Sequence, residues 1–157
     1  MADLDDIYNL KILELAAGIP HSERLAKPDA SASALSKLCG STITVDLRIA
    51  DGAISDFGQV VKACLLGQAA ASIVGREIVG TQPDEFRAVA RRMRAMLKEK
   101  GDPPGGRWAD LALLEPVRDY SHRHASTLLV FDAVERALDE IEKRTQADAT
   151  SPAAVSR

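Results

Sequence analysis

The polar and apolar positions are most regular between residues 42 and 49. Ile43, Val45, Leu47 and Ile49 alternate with Thr42, Thr44, Asp46 and Arg48, the period-two signature of an antiparallel strand with one buried face. Asp51-Gly52 follows, and Gly tolerates the positive φ of a tight hairpin turn. Ile54 to Lys62 is the expected return strand, with Gly58 as the site of a bulge. Ahead of this hairpin, Pro20 to Ser36 is rich in Ala, Ser and Pro and reads as loop, with a short edge strand near Ala32 to Ser36.

Elsewhere the period is helical. Ile7, Leu10, Leu13 and Ala17 recur at helix spacing, so a first helix is expected from Leu4 to Gly18. Asp3, Asp5 and Asp6 suit its positive end, and Gly18 and Pro20 stop it. Leu65 to Val79 forms a second helix whose Gly67, Ala69, Ala70, Ala71, Ser72 and Gly75 leave it nearly bare, fit for close packing on a sheet. Thr81 is the expected N-cap of a third helix, with Pro83 in its first turn and its end near Lys100. Its Arg87, Arg91, Arg92, Arg94 and Lys98 form either a solvated face or a docking surface. Gly101 to Gly106 is loop, and Trp108 to Leu114 is a short helix cut by Pro116. Leu128, Leu129, Phe131, Val134, Ala137, Leu138 and Ile141 define a last helix, capped by Ser121 or Ser126. The expected layout is one domain over residues 1–145 and a disordered tail over 146–157, where the apolar pattern ends.

This is an α+β fold, a small three-stranded antiparallel sheet with helices packed on one face. The last helix and the helix after Cys64 pack together there. Composition changes that picture little. The 157 residues are 46% hydrophobic and 27% charged with net charge −3, which suits one globular domain and gives no basic footprint for nucleic acid. No apolar run reaches the roughly 18 residues of a membrane helix. The opening MADLDDIYNL lacks a basic n-region, so no signal peptide is expected and the expected location is cytoplasmic. Two cysteines do not make a disulfide framework.

The candidate chemistry lies at the ends of the hairpin. Cys64 falls in the first turn of the second helix, where unpaired N–H groups can lower a thiol below its usual ~8.5. Cys39 precedes Gly40 at the start of the central strand. The competing reading is that both are small core residues. His122 and His124 flank Arg123 ahead of the last helix, as exposed loop or as a source of one ligand, and His21 joins no constellation. Cys39, Cys64 and one of these histidines would make an open Cys₂His set for zinc or iron. No CxxC, HExxH, phosphate-binding loop or dinucleotide turn is present, and no acid–base pair or nucleophile–base set marks an enzyme.

The run Cys39-Gly40-Ser41, Asp51-Gly52 and Ala63-Cys64 with its Ala/Ser helix resembles the IscU/SufU/NifU N-terminal iron–sulfur cluster assembly scaffolds. His124-Ala125-Ser126 corresponds to the step into that family's last helix, and residues 96–120 resemble the extra region of its SufU-type branch. The resemblance spans roughly Leu4 to Ile141 and implies the SufE/NifU-like scaffold fold. It implies a non-enzymatic scaffold that accepts sulfur from a cysteine desulfurase, with turnover belonging to that partner and an apo-protein as cluster acceptor. Cys39, Cys64 and His124 would bind iron, a transient Fe–S cluster or zinc, with Ser41 a weak ligand and Cys39 the sulfur acceptor. The family's Asp after Cys-Gly is Ser41 here, and its third Cys is Ala125. Those departures leave a second reading, a non-catalytic homologue that acts as a binding or regulatory module.

Overall fold

The computed structural model describes the backbone of residues 9–150, and side-chain surroundings up to residue 145. Three strands, β1 (Ala30–Leu35), β2 (Thr42–Ala50) and β3 (Ala53–Lys62), form one antiparallel sheet in the order β1-β2-β3. The expected hairpin is there, with Asp51 at φ +54° and Gly52 at φ +78°, the two positive values a type I′ turn needs. Ile43, Val45 and Leu47 are fully buried. β1 is longer than its weak pattern suggests because Ala30 and Ala34 pass beneath the last helix, where larger side chains would hold the layers apart.

The bulge is not at Gly58. Arg48 faces Asp56 and Ile49 faces Ile54, so the extra residue is Ser55, beside the turn. Gly58 serves a different need: a Cβ there would collide with the backbone carbonyl of Glu23, which crosses the sheet at this point. Arg24 holds that crossing by a two-pronged contact with the fully buried Asp46 carboxylate, at 2.7 and 3.0 Å. The Leu25 N–H and the Ser31 hydroxyl also donate to Asp46. Burial alone would raise this carboxyl, but these donors outweigh it and hold it below the usual aspartate range. The outer edge of β3 is closed by backbone bonds from Gln59 N–H to His21 and from Ile54 N–H to Thr81, which removes a free strand edge.

Helix α1 runs over Leu10–Ala17 and starts behind Asn9, whose side chain accepts from Ile12 N–H at 3.0 Å. The expected start at Leu4, with Asp3, Asp5 and Asp6, lies outside the described residues. Helix α2 (Leu65–Glu77) packs on α1 and on β3. Helix α3 (Pro83–Lys98) buries Phe86, Val89, Ala90, Met93, Met96 and Leu97 along one face. Its N-cap is Gln82 rather than Thr81. Thr81 is buried, donates to the Glu77 carbonyl at 3.1 Å and accepts from Arg107, so its hydroxyl is spent behind the helix start. A 3₁₀ segment over Gly106–Asp119 carries Pro116 within it, and a short turn, α4 (His124–Thr127), leads to α5 (Leu129–Thr150). Neither expected serine caps α5, because Ser126 donates to the Arg123 carbonyl at 3.2 Å and Ser121 belongs to a separate 3₁₀ turn.

The basic run of α3 is divided, with Arg91, Arg92 and Lys98 exposed and Arg87 and Arg94 paired to α5. Arg87 contacts Glu135, Asp139 and Glu142, and Arg94 contacts Asp132 and Glu135, which ties α3 to α5. Under this tie Phe86 stacks on Phe131 and meets Trp108 edge-on, with ring centroids 5.8 and 5.9 Å apart. α5 reaches Thr150, beyond the boundary expected at residue 146, since no Gly or Pro interrupts it there; residues 151–157 lie outside the described residues. Among the described residues no helix is long and apolar enough to cross a membrane.

Candidate functional site

The chain between β1 and β2 closes on itself. Ser36 N–H donates to the Ser41 carbonyl at 2.9 Å, and Gly40 N–H donates to the Ser36 carbonyl at 2.8 Å, with Gly40 at φ +73°. The left-handed φ is one that Gly adopts without a steric penalty. This clip turns Cys39 outward, exposed at the end of the sheet, while Ser36 and Ser41 on either side of it are buried. The sheet register then brings Cys64 to the same end: Thr42 pairs with Lys62, two residues before it.

Ser41 joins the two cysteines. Its Oγ accepts the Cys64 N–H at 3.2 Å and lies 2.9 Å from Cys39 Sγ. A hydroxyl has one proton, and the Cys64 N–H occupies an acceptor position, so the proton is free to point at the Cys39 sulfur when that is a thiolate. The Cys64 N–H is one of the unpaired donors at the α2 start. Ser36 Oγ lies 3.6 Å from Cys39 Sγ. The Ser41 hydroxyl, then the Ser36 hydroxyl and the Ser41 backbone N–H, pull the Cys39 thiol below its ordinary value; partial burial opposes them and the Arg123 charge assists.

Cys64 is the N-cap residue of α2, with extended backbone, and its side chain does not cap the helix. Its Sγ–H donates to Ser126 Oγ at 3.3 Å. The loop that was expected to bring His124 therefore does reach this end, but through Ser126 and Arg123. Close approach is possible because Gly67 of α2 faces the Ser126 carbonyl, where a Cβ would stand 3.0 Å away. His124 turns aside: its Nε2 lies 3.1 Å from both the Val117 and the Arg118 carbonyl, the geometry of one N–H shared between two acceptors. Ala125 is exposed and offers no donor, and His122 is exposed with its ring edge against Tyr120. His21, at φ +56°, packs edge-on to Phe57 in the middle of β3, and its carbonyl accepts the Gln59 N–H.

Two thiols and three buried hydroxyls thus share one end of the sheet. Among the described residues no group of three His, Cys, Asp or Glu side chains could hold a metal ion. Zinc sites use at least three such protein ligands, so the residues as placed do not fit resident zinc on Cys39, Cys64 and His124. Ser41 is present where a weak ligand was expected, but its oxygen is committed to Cys39 and Cys64. Ser36, Ser126 and Arg123 are the members that sequence reasoning missed. Ser126 was visible only as a cap candidate, and nothing in the run Leu35-Ser36-Lys37 marks Ser36 as a partner of Cys39.

This chain is similar to three known proteins. A solved N-terminal part of a nitrogen-fixing NifU-like protein from Brucella abortus is 53% identical, with TM-score 0.88, over 89% of this chain and 97% of that one. A solved iron–sulfur cluster assembly scaffold protein of the SUF system from Fervidobacterium islandicum has TM-score 0.79 at 17% identity, over 87% and 99%, and shows the shared fold. The iron–sulfur cluster assembly scaffold protein IscU of Thermotoga maritima is 24% identical over 105 residues, 67% of this chain and 73% of that protein. No protein-family model matches the sequence.

Proposed function

Because this chain belongs to the IscU/SufU/NifU-like family of iron–sulfur cluster assembly scaffolds, we propose that it works in cluster assembly by accepting sulfur on Cys39 from a cysteine desulfurase. The observation that carries this reading is the Cys39 thiol, exposed on a closed clip and pulled toward thiolate by Ser41 and Ser36. A thiolate is the nucleophile in sulfur exchange. Turnover belongs to the desulfurase, which makes the persulfide, and this chain is a carrier rather than an enzyme. Residues 1–145 serve as one scaffold-type unit.

Iron and the cluster it forms with sulfide are cargo. Two thiolates supply half of the four cysteine ligands usual for a [2Fe–2S] cluster, so a cluster here would be completed by ligands from a partner or an apo-protein acceptor. The test is incubation with a cysteine desulfurase and L-cysteine, followed by intact-protein and peptide mass analysis. One added sulfur atom on the Cys39 peptide is expected, and its loss in Cys39→Ser. A wild-type chain that gains no sulfur rejects the reading.

Ala125 favours a second reading. It presents a methyl group where the family places its third cysteine, beside a histidine turned to carbonyls. In that reading the chain binds the desulfurase as a regulatory module and passes on no sulfur. Desulfurase binding that survives loss of both cysteines, without any sulfur on Cys39, would support it.

A further inference from the structure

The groups around Cys39 and Cys64 suit a sulfur anion and not a metal ion. Ser36, Ser41 and Ser126 are each almost fully buried, and each has its oxygen within reach of one of the two cysteine sulfurs. Hydroxyls are neutral and bind zinc or ferrous iron poorly beside carboxylate, imidazole or thiolate; Ser41 can turn its proton toward a Cys39 thiolate, whereas Ser126 gives its proton to the Arg123 carbonyl and accepts from Cys64. The His124 Nε2 lies 3.1 Å from the Val117 and Arg118 carbonyls, and among the described residues this imidazole forms no three-ligand group with the two cysteines.

We propose that Cys39 takes up sulfur as a persulfide with no metal ion bound, so that sulfur loading is independent of metal and iron is held only once a partner adds its own ligands. This rests on the sulfur-accepting function proposed above and assigns the chemical form of its cargo. In the loading step the Cys39 thiolate attacks the outer sulfur of a donor persulfide, R–S–SH. A new S–S bond forms to Cys39 and the donor S–S bond breaks. Its electron pair leaves on the donor sulfur as R–S⁻, and the product is Cys39–S–SH. One S–S bond replaces another, so no external oxidant or reductant is needed. The Ser41 hydroxyl, oriented by the Cys64 N–H, holds the Cys39 sulfur in line throughout. The reaction before this one must therefore generate a persulfide on a donor thiol. The one after it must either pass the outer sulfur to another thiolate or reduce it to sulfide.

The full chain, stripped of metal by a chelator under reducing conditions, is mixed anaerobically with glutathione persulfide. Parallel samples contain excess chelator, one equivalent of zinc, or one equivalent of ferrous iron, and sulfur on Cys39 is read by mass analysis. Equal loading with chelator and with either metal is expected, with complete loss in Cys39→Ser. In a separate titration the chain should fail to take zinc from a chromogenic chelator. Loading that appears only with zinc or iron, or zinc retention lost in Cys64→Ser, overturns the metal-independent site while leaving sulfur acceptance intact. No loading under any condition, with a desulfurase as with glutathione persulfide, rejects both.

Discussion

Two residues set the local chemistry, Ser41 and Asp46, and they do so in opposite ways. Ser41 lowers a thiol by offering it a proton it can share, so alkylation of Cys39 should have a midpoint below the ~8.5 of an ordinary thiol. In Ser41→Ala the midpoint should move up, measured as the rate of iodoacetamide modification against pH. An unchanged midpoint would mean that the hydroxyl does not act on the sulfur. Asp46 is lowered by donors that hold the segment crossing the sheet. A carboxyl with a depressed folded value gives stability that is fully present above its unfolded value of about 3.9 and is lost as pH falls through the folded one. Asp46→Asn should therefore remove part of the acid sensitivity of unfolding and cost roughly 3 kcal/mol at neutral pH, because Arg24, Ser31 and Leu25 lose a charged acceptor. Urea unfolding at pH 7 and in a series well below the unfolded value of about 3.9 checks both.

Among the elements, glycines decide how closely layers meet. Gly58→Ala forces a Cβ against the Glu23 carbonyl and should destabilise by about 1–3 kcal/mol. It should also raise the rate of proteolysis within residues 21–25, whose attachment crosses that point. Neither effect is expected if the glycine is there for a bulge. This is where the limits of the sequence are clearest. The 42–62 hairpin was legible because alternation and an Asp-Gly turn are local signals, as were α2 and α3 from their periodicity and breakers. Gly58 misled because a bulge and a close crossing both demand a missing side chain, and the crossing partner lies thirty-odd positions away in the chain. The resemblance named Cys39, Cys64 and His124 as one set, and the structure brings the two cysteines to one end of the sheet through Ser41. Which way the His124 imidazole turns was not legible, since it depends on carbonyls of the 3₁₀ segment that no spacing reveals. Ser126 was hidden for the same reason, its value lying in a contact sixty-two residues distant.

For the whole molecule, one aromatic group ties the helical layer together. Phe86, Phe131 and Trp108 join α3, α5 and the 3₁₀ segment, and the Arg87 and Arg94 ion pairs cover the seam between α3 and α5. Phe86→Ala should cost about 3–5 kcal/mol, the range for deleting a buried aromatic. Trp108, the sole tryptophan and buried, should report the transition by fluorescence, and its change should coincide with loss of helical circular dichroism if the layers unfold as one unit. The same variant should leave Cys39 alkylation unchanged under native conditions, because the aromatic group and the cysteine end are joined only through the intact core.

The clip that carries Cys39 has a further consequence in time. Two backbone bonds close it, Ser36 N–H to Ser41 and Gly40 N–H to Ser36, while the strands beyond it are held by full ladders. A segment fastened so lightly opens far more often than the sheet it joins. When it opens, Cys39 loses the Ser41 donor that pulls its thiol down, so the thiolate fraction is larger in the closed form. The Gly40 amide should then exchange with deuterium well ahead of the β2 amides, and its exchange and the fraction of unreactive Cys39 should rise together as the clip is loosened by mild denaturant. If Cys39 accepts sulfur as proposed, mild loosening of the clip should slow that loading in proportion to the closed fraction lost.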